Sequence, residues 1–158
     1  MIIPEEIRKS GVLTSLLGFK PSVNSIEDYN KFVNQGFEPM LDWRFEIKFS
    51  VRLELQLSIF GRNIHSRDDY FFRWIWDRSE TYCREYLTQL YEFNAVHMAH
   101  IIPKGAHTEM RHDTRNIIIL SKPAHTKWDS EKNSERAKMN IWPGNKRIIQ
   151  ILTKDYQL

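Results

Sequence analysis

Between Val96 and Met139 the chain reads as two short extended runs followed by a helix, and this pattern constrains the fold more than any other. The runs are Val96-His97-Met98-Ala99-His100-Ile101-Ile102 and Asn116-Ile117-Ile118-Ile119-Leu120, joined by a loop that contains Pro103 and Gly105. Pro123 suits a first helical turn, and the spacing predicts a helix over 124–139. Strand, loop, strand, helix is a small unit, and a single cysteine, Cys83, rules out both an internal disulfide and a zinc site built on four cysteines. Packing, or a metal bound by other side chains, must hold it together.

Upstream, Ile7–Leu17 is weakly helical and ends at Gly18. Ser25-Ile26-Glu27-Asp28 sets an N-cap serine three residues before a carboxylate, with Gly36 at the far end, which predicts a helix over about 26–35. From Phe45 to Ile59 every odd position is apolar and every even one is Glu, Lys, Ser, Arg or Gln. That alternation predicts a strand. At 3.3 Å per residue it would run about 50 Å, so a bend or turn near Ser50 is expected, giving a sheet face over the N-terminal helices or a ribbon for dimerisation or for lying along DNA. Asp68-Asp69 opens an aromatic helix, Tyr70 to Trp76, and a second helical stretch is expected from about Ser79 to Tyr91. Pro143-Gly144 breaks the chain before a last apolar stretch, Ile148–Leu152. Two regions result: an N-terminal α+β region, 1–66, and a C-terminal one, 67–158.

Charge is uneven. Residues 1–99 carry twelve basic and fourteen acidic side chains, while residues 100–158 carry eleven and six. Five of the six histidines (His97, His100, His107, His112 and His125) fall within the 29 residues 97–125. Basic surface with clustered imidazoles points to an anionic partner and to proton or metal chemistry. No apolar run is long enough for a membrane span, and the first residues lack the pattern of a signal peptide, so a soluble, cytoplasmic protein is expected.

The stretch His97-Met98-Ala99-His100-Ile101-Ile102-Pro103-Lys104-Gly105-Ala106-His107, continuing through Arg111-His112-Asp113 and Asn116 to His125-Thr126-Lys127-Trp128-Asp129, resembles the HNH endonuclease motif in its ββα-metal form. The wording is similar to the small HNH proteins common in phage genomes, and the resemblance covers roughly residues 70–130. It implies an α+β fold in which the ββα-metal motif packs on the aromatic helices. At two points the chain departs from the family pattern. Ala99 stands where many members carry an Asp or His metal ligand. Of two Cys-x-x-Cys pairs that staple relatives around a zinc ion, only Cys83 remains, with Tyr86, Ser121 and Ala124 at the other positions. No structural zinc is expected, and Trp74, Trp76, Tyr86 and Trp128 are candidates to fill that space.

The chemistry can be argued from the residues themselves. Phosphodiester hydrolysis needs a base for water, a cation for the charge on phosphate and leaving oxygen, and something to hold the base in place. His100, ending the first strand, is the candidate base. Asn116, opening the second, is the candidate orienting amide, acting on His100 or on the intervening loop. His125 and Asp129 lie four apart on the predicted helix, so both project from one face and can share a cation. An imidazole and a carboxylate with open positions suit Mg²⁺ or Mn²⁺ and would also admit Zn²⁺ or Ni²⁺. Lys104, Arg111, Arg115, Lys122 and Lys127 are candidate phosphate contacts. His97, His107 and His112 read first as core or surface residues. The expected activity is metal-dependent cleavage or nicking of DNA, with RNA as the alternative substrate and a homodimer as one route to paired cuts. The alternative is an HNH-fold module that binds DNA or a protein without cutting.

Overall fold

The computed structural model describes residues 21–63 and 67–158. The helix expected over Ile7–Leu17 and the histidine His65 lie outside them. Two compact units divide between Arg62 and Asn63. No helix among the described residues is long and apolar enough to cross a membrane.

In the first unit, β1 (Ser22–Val23) pairs in parallel with β2 (Glu46–Ile47), and helices α1 (Ile26–Asn34) and α2 (Phe49–Phe60) complete it. Helix α1 starts and stops where its caps dictate. The Ser25 hydroxyl accepts from Asp28 N–H at 3.1 Å, and the Asp28 carboxylate accepts from Asn24 N–H at 3.2 Å. At the other end Gly36 takes φ +87°, and Phe37 N–H reaches back to Phe32 C=O at 3.0 Å, a left-handed C-terminal cap. The same reversal sets the Phe37 ring against Phe32, with Phe45 closing the cluster.

The long strand expected over Phe45–Ile59 is a correction. Only Glu46–Ile47 is strand, and the rest is α2. Period-two alternation also places residues four apart on one helix face, and here burial follows that face: Val51, Arg52, Leu55, Gln56 and Phe60 are inside while Leu57 is half exposed. The segment is rich in Leu, Glu, Gln and Arg, which favour helix, so propensity and burial prevail over alternation. The ribbon that a strand would have offered a second copy or DNA is absent.

The second unit opens with α3 (Asp68–Trp76), whose two aspartates occupy the positive N-terminal turn and whose Phe71, Phe72, Trp74, Ile75 and Trp76 are buried. The helix expected over Ser79–Tyr91 is a second correction: the chain folds into a tight hairpin. Cys83 N–H donates to Thr88 C=O at 2.8 Å and Leu90 N–H to Thr81 C=O at 2.8 Å, with Leu87 at φ +56° closing the turn. Arg84 N–H donates to Ile119 C=O at 3.0 Å, docking the hairpin on β4 (Ile117–Ile119). These tertiary partners take the amides that a helix would have used internally.

Strand β3 (Met98–His100) pairs antiparallel with β4 in the register Met98↔Ile119, Ala99↔Ile118, His100↔Ile117. Helix α4 (Lys122–Ser130) follows, with Pro123 in its first turn. The helix expected to run on to 139 stops at Ser130 and gives way to the short α5 (Asn133–Arg136). The turn between them brings the Arg136 guanidinium over the Trp128 ring, 4.9 Å from its centre, and lets Met139 and Ile141 join the core around Trp128. A straight helix would carry them away. Pro143 does not break the chain but opens α6 (Trp142–Asp155), as proline can where its missing N–H is not needed.

Strand alternation sends Ala99 and Ile101 into a core with Cys83, Leu120, Ala124 and Trp128. Tyr86, expected to help fill this space, is half exposed. Burial pushes the Cys83 thiol up, but hydrogen bonds from Ser121 and from the backbone of Tyr86 and Glu85 outweigh it and leave the thiol below its ordinary value.

Candidate active site

His100, on the face of β3 opposite Ala99, is 9% exposed. Its Nε2 lies 3.0 Å from the backbone oxygen of Arg111. A carbonyl only accepts, so Nε2 carries the hydrogen and Nδ1 is the basic nitrogen. Burial, with the positive charge of Lys104 helping and the Arg111 carbonyl opposing, holds the pKa of His100 below 6.5. The ring is therefore neutral and ready to take a proton at neutral pH.

Asn116 is fully buried, and its side-chain hydrogen bonds go to the loop and not to His100. Its Oδ1 accepts from Ile102 N–H at 2.7 Å, and its Nδ2 donates to Ile102 C=O at 3.0 Å and Met110 C=O at 3.3 Å. Of the two roles the sequence allowed, the structure shows contacts with the loop. The amide ties the start of the β3–β4 loop to its end, one residue before the carbonyl that receives His100.

On α4, the Nδ1 of His125 lies 2.6 Å from the Val96 carbonyl and so donates to it. Its Nε2 is 3.1 Å from Asp129 Oδ2. With the hydrogen on Nδ1, a lone pair and a carboxylate oxygen face each other, an arrangement that needs either a second proton or a cation between them. One nitrogen and one oxygen donor, held on adjacent helical turns with the histidine fixed through its other nitrogen, fit a divalent ion. No group of three or more His, Cys, Asp or Glu suited to a metal occurs among the described residues, so further positions would fall to water and substrate.

One cavity of about 440 Å³ is lined by His100, His125, Asp129 and Lys104, with Phe72 and Met98 as apolar wall. The structure thus brings together the candidate base and both candidate ligands. Ala99 is not in the lining and has no exposed surface. It is part of the core rather than a vacated ligand position.

The candidate phosphate contacts divide. Lys122 is exposed and Lys127 partly so, and neither forms an ion pair among the described residues. Lys104 is half exposed at the cavity, 3.6 Å from Asp68. Arg111 is held by Asp68 through Nε at 2.8 Å and Nη2 at 2.5 Å. Arg115 lies between the fully buried Asp113 and Asp155, at 2.8 and 2.6 Å, and serves to fasten α6 to the start of β4. Among the other histidines, His97 donates to Leu120 C=O and stacks on Trp76, His107 pairs with Glu109, and His112 donates to Asp68.

Asp68 was not legible as a site residue. In the sequence it reads as one of two acidic residues in a helical first turn. The available signal was its spacing, since Asp68, Phe71 and Phe72 fall at i, i+3 and i+4 on one face of α3. Phe71 packs on His112 and Phe72 on His100, at ring separations of 5.0 and 5.7 Å. Burial alone would raise its pKa, but hydrogen bonds from Arg111 and His112, with the charges of Arg111 and Lys104, hold it at about 2.

Residues 65–133 match the HNH endonuclease family, and the chain carries a domain of that family over this stretch. The match supports a nuclease-type function at the level of the family, whose members generally use a divalent metal ion and act on nucleic acids. No curated protein and no solved structure matches the chain.

Proposed function

We propose that this protein is a metal-dependent HNH endonuclease of ββα-metal type that hydrolyses phosphodiester bonds in DNA. The observation that carries the reading is the single cavity shared by His100, His125 and Asp129, with complementary protonation of the two imidazoles. His100 takes the proton of the attacking water at Nδ1, while Nε2–H stays on the Arg111 carbonyl and keeps the ring from turning. Asn116 acts on the loop that presents this carbonyl. His125 Nε2 and Asp129 would hold the divalent ion, Mg²⁺ or Mn²⁺ by the hardness of the donors it would share with phosphate and water, and the ion supplies charge stabilisation at the phosphate and leaving oxygen. Lys104, Lys122 and Lys127 pair with backbone phosphates.

The test is incubation of supercoiled plasmid with the protein and Mg²⁺ or Mn²⁺, against EDTA, with single-stranded DNA, branched DNA and RNA as parallel substrates. Metal-dependent nicking of the plasmid supports the reading. Preferential RNA cleavage would move the substrate class, and binding without cleavage of any substrate would leave a non-catalytic HNH module.

A further inference from the structure

We infer that Asp68 is a positioning residue for His100, acting through the peptide that joins Arg111 to His112. This deepens the reading above and rests on it for the role of His100. The carbonyl that receives His100 Nε2–H belongs to that peptide. The side chains at both of its ends are held by one carboxylate: Arg111 by two hydrogen bonds, and His112 by its Nε2 at 3.0 Å from Asp68 Oδ1. A peptide whose two flanking side chains are anchored at one point cannot rotate about its long axis without breaking a charged hydrogen bond. On the preceding side Asn116 Nδ2 fixes the Met110 carbonyl. The acceptor of His100 is thus pinned from both directions, by Asn116 through the loop and by Asp68 through α3. The same helix sets the edge contact of Phe72 with the His100 ring. Asp68 is 20% exposed on its side chain and touches no residue proposed to bind metal; its second route to the reaction, through Lys104 at 3.6 Å, bears on phosphate binding and is separated from the His100 route by the tautomer signal.

The experiment reads the His100 ring directly. Ring ¹⁵N signals, recorded at pH 8 on protein with labelled histidine, distinguish the Nε2–H from the Nδ1–H tautomer. The wild type is expected to show His100 as the Nε2–H form. In Asp68→Asn the signals should move toward an average of the two tautomers. The turnover rate kcat on plasmid, read at saturating DNA so that a change in phosphate binding through Lys104 does not enter, should fall on the order of tenfold or more, because geometry at His100 is lost. Asp68→Glu should recover part of both. Arg111→Gln cuts the same link from the other end, and its tautomer signal decides the matter where Asp68→Asn does not fold. A His100 ring that keeps the single Nε2–H form in these variants overturns the proposal whatever their activity, as does a wild-type ring that is not in that form. Absence of cleavage by the wild type would sink the nuclease reading, while the tautomer measurement would still decide whether Asp68 positions His100.

Discussion

Trp128 donates its indole N–H to the backbone carbonyl of His100, 3.2 Å away. The helix that carries His125 and Asp129 is therefore tied to β3 at the residue that carries the candidate base. Ile101 N–H adds a bond to Asn116 C=O at 2.8 Å, so the main chain beneath the imidazole is held without any help from the ring.

For that reason His100→Ala is expected to fold and to bind DNA nearly as wild type does, while cleavage falls by about 10² to 10⁴. Plasmid nicking and a binding titration, run side by side, check this. Cleavage within a factor of two of wild type would remove His100 from the mechanism.

Burial sets the direction of the pH dependence. The neutral imidazole is the active form, and its pKa lies below 6.5, so the acid limb of kcat/KM at saturating metal is expected below pH 6.5. For stability the sign follows from the same shift. The unfolded chain takes up the proton near pH 6.5 while the folded ring does not, so stability is lost as pH falls below that value toward the lowered folded pKa. Thermal melts between pH 8 and 5 should show this loss in wild type and less of it in His100→Ala.

Two protein ligands leave most of the coordination of Mg²⁺ to water and phosphate, so free protein should bind the ion weakly and DNA should tighten it, by about tenfold or more. By reciprocity the ion must tighten DNA by the same factor. Calorimetric titration of metal into His100→Ala, with and without duplex, measures both sides on an uncleaved complex. His125→Ala and Asp129→Ala should abolish the coupling together with cleavage.

Ala99→Asp is expected to destabilise and not to add a ligand. The new carboxylate would enter the apolar cluster of Cys83, Leu120, Ala124 and Trp128, at a cost of about 3 kcal/mol or more. Denaturant unfolding of the variant with and without Mg²⁺ tests it, and a stable protein with tightened metal affinity would be the contrary result.

The basic residues should separate by assay. Lys122→Glu and Lys127→Glu are expected to weaken DNA binding across sequences and to lower the salt slope by about one or more each, with little change in melting. Arg115→Ala should instead cost about 3 kcal/mol, because the buried Asp113 carboxylate loses its charged partner. Its salt slope should match wild type.

The sequence made the two short strands, the Pro123-led helix and the His100, His125 and Asp129 grouping legible because each rests on local signals: β-branched runs, a first-turn proline, and the four-residue spacing that shares a helix face. Helix α2 was hidden because its apolar residues are spread around the axis, so alternation was the stronger visible period and only burial distinguishes the faces. The hairpin over 81–90 was hidden because its amides pair across a turn whose left-handed residue is Leu87 and not glycine. The role of Arg111 depends on a carboxylate 43 residues distant, and Arg115 joins its near neighbour Asp113 to Asp155, 40 residues on. No local pattern distinguishes an arginine so engaged from one left for phosphate. Asp68 stayed hidden for the same reason seen from the acidic side.

The family match stops at residue 133, yet the buried Asp113 carboxylate accepts from Arg115, which also pairs with Asp155, and from the hydroxyl of Tyr156 at 3.1 Å. Met139 and Ile141 lie in the core around Trp128, and Leu152 is fully buried. The segment recognisable by pattern and the segment that folds cooperatively are therefore not the same length. A protein trimmed to the recognisable part would keep every candidate catalytic side chain and lose the wall behind Trp128 and one end of the Arg115 clasp. The smallest piece worth transplanting into another protein accordingly runs through Tyr156.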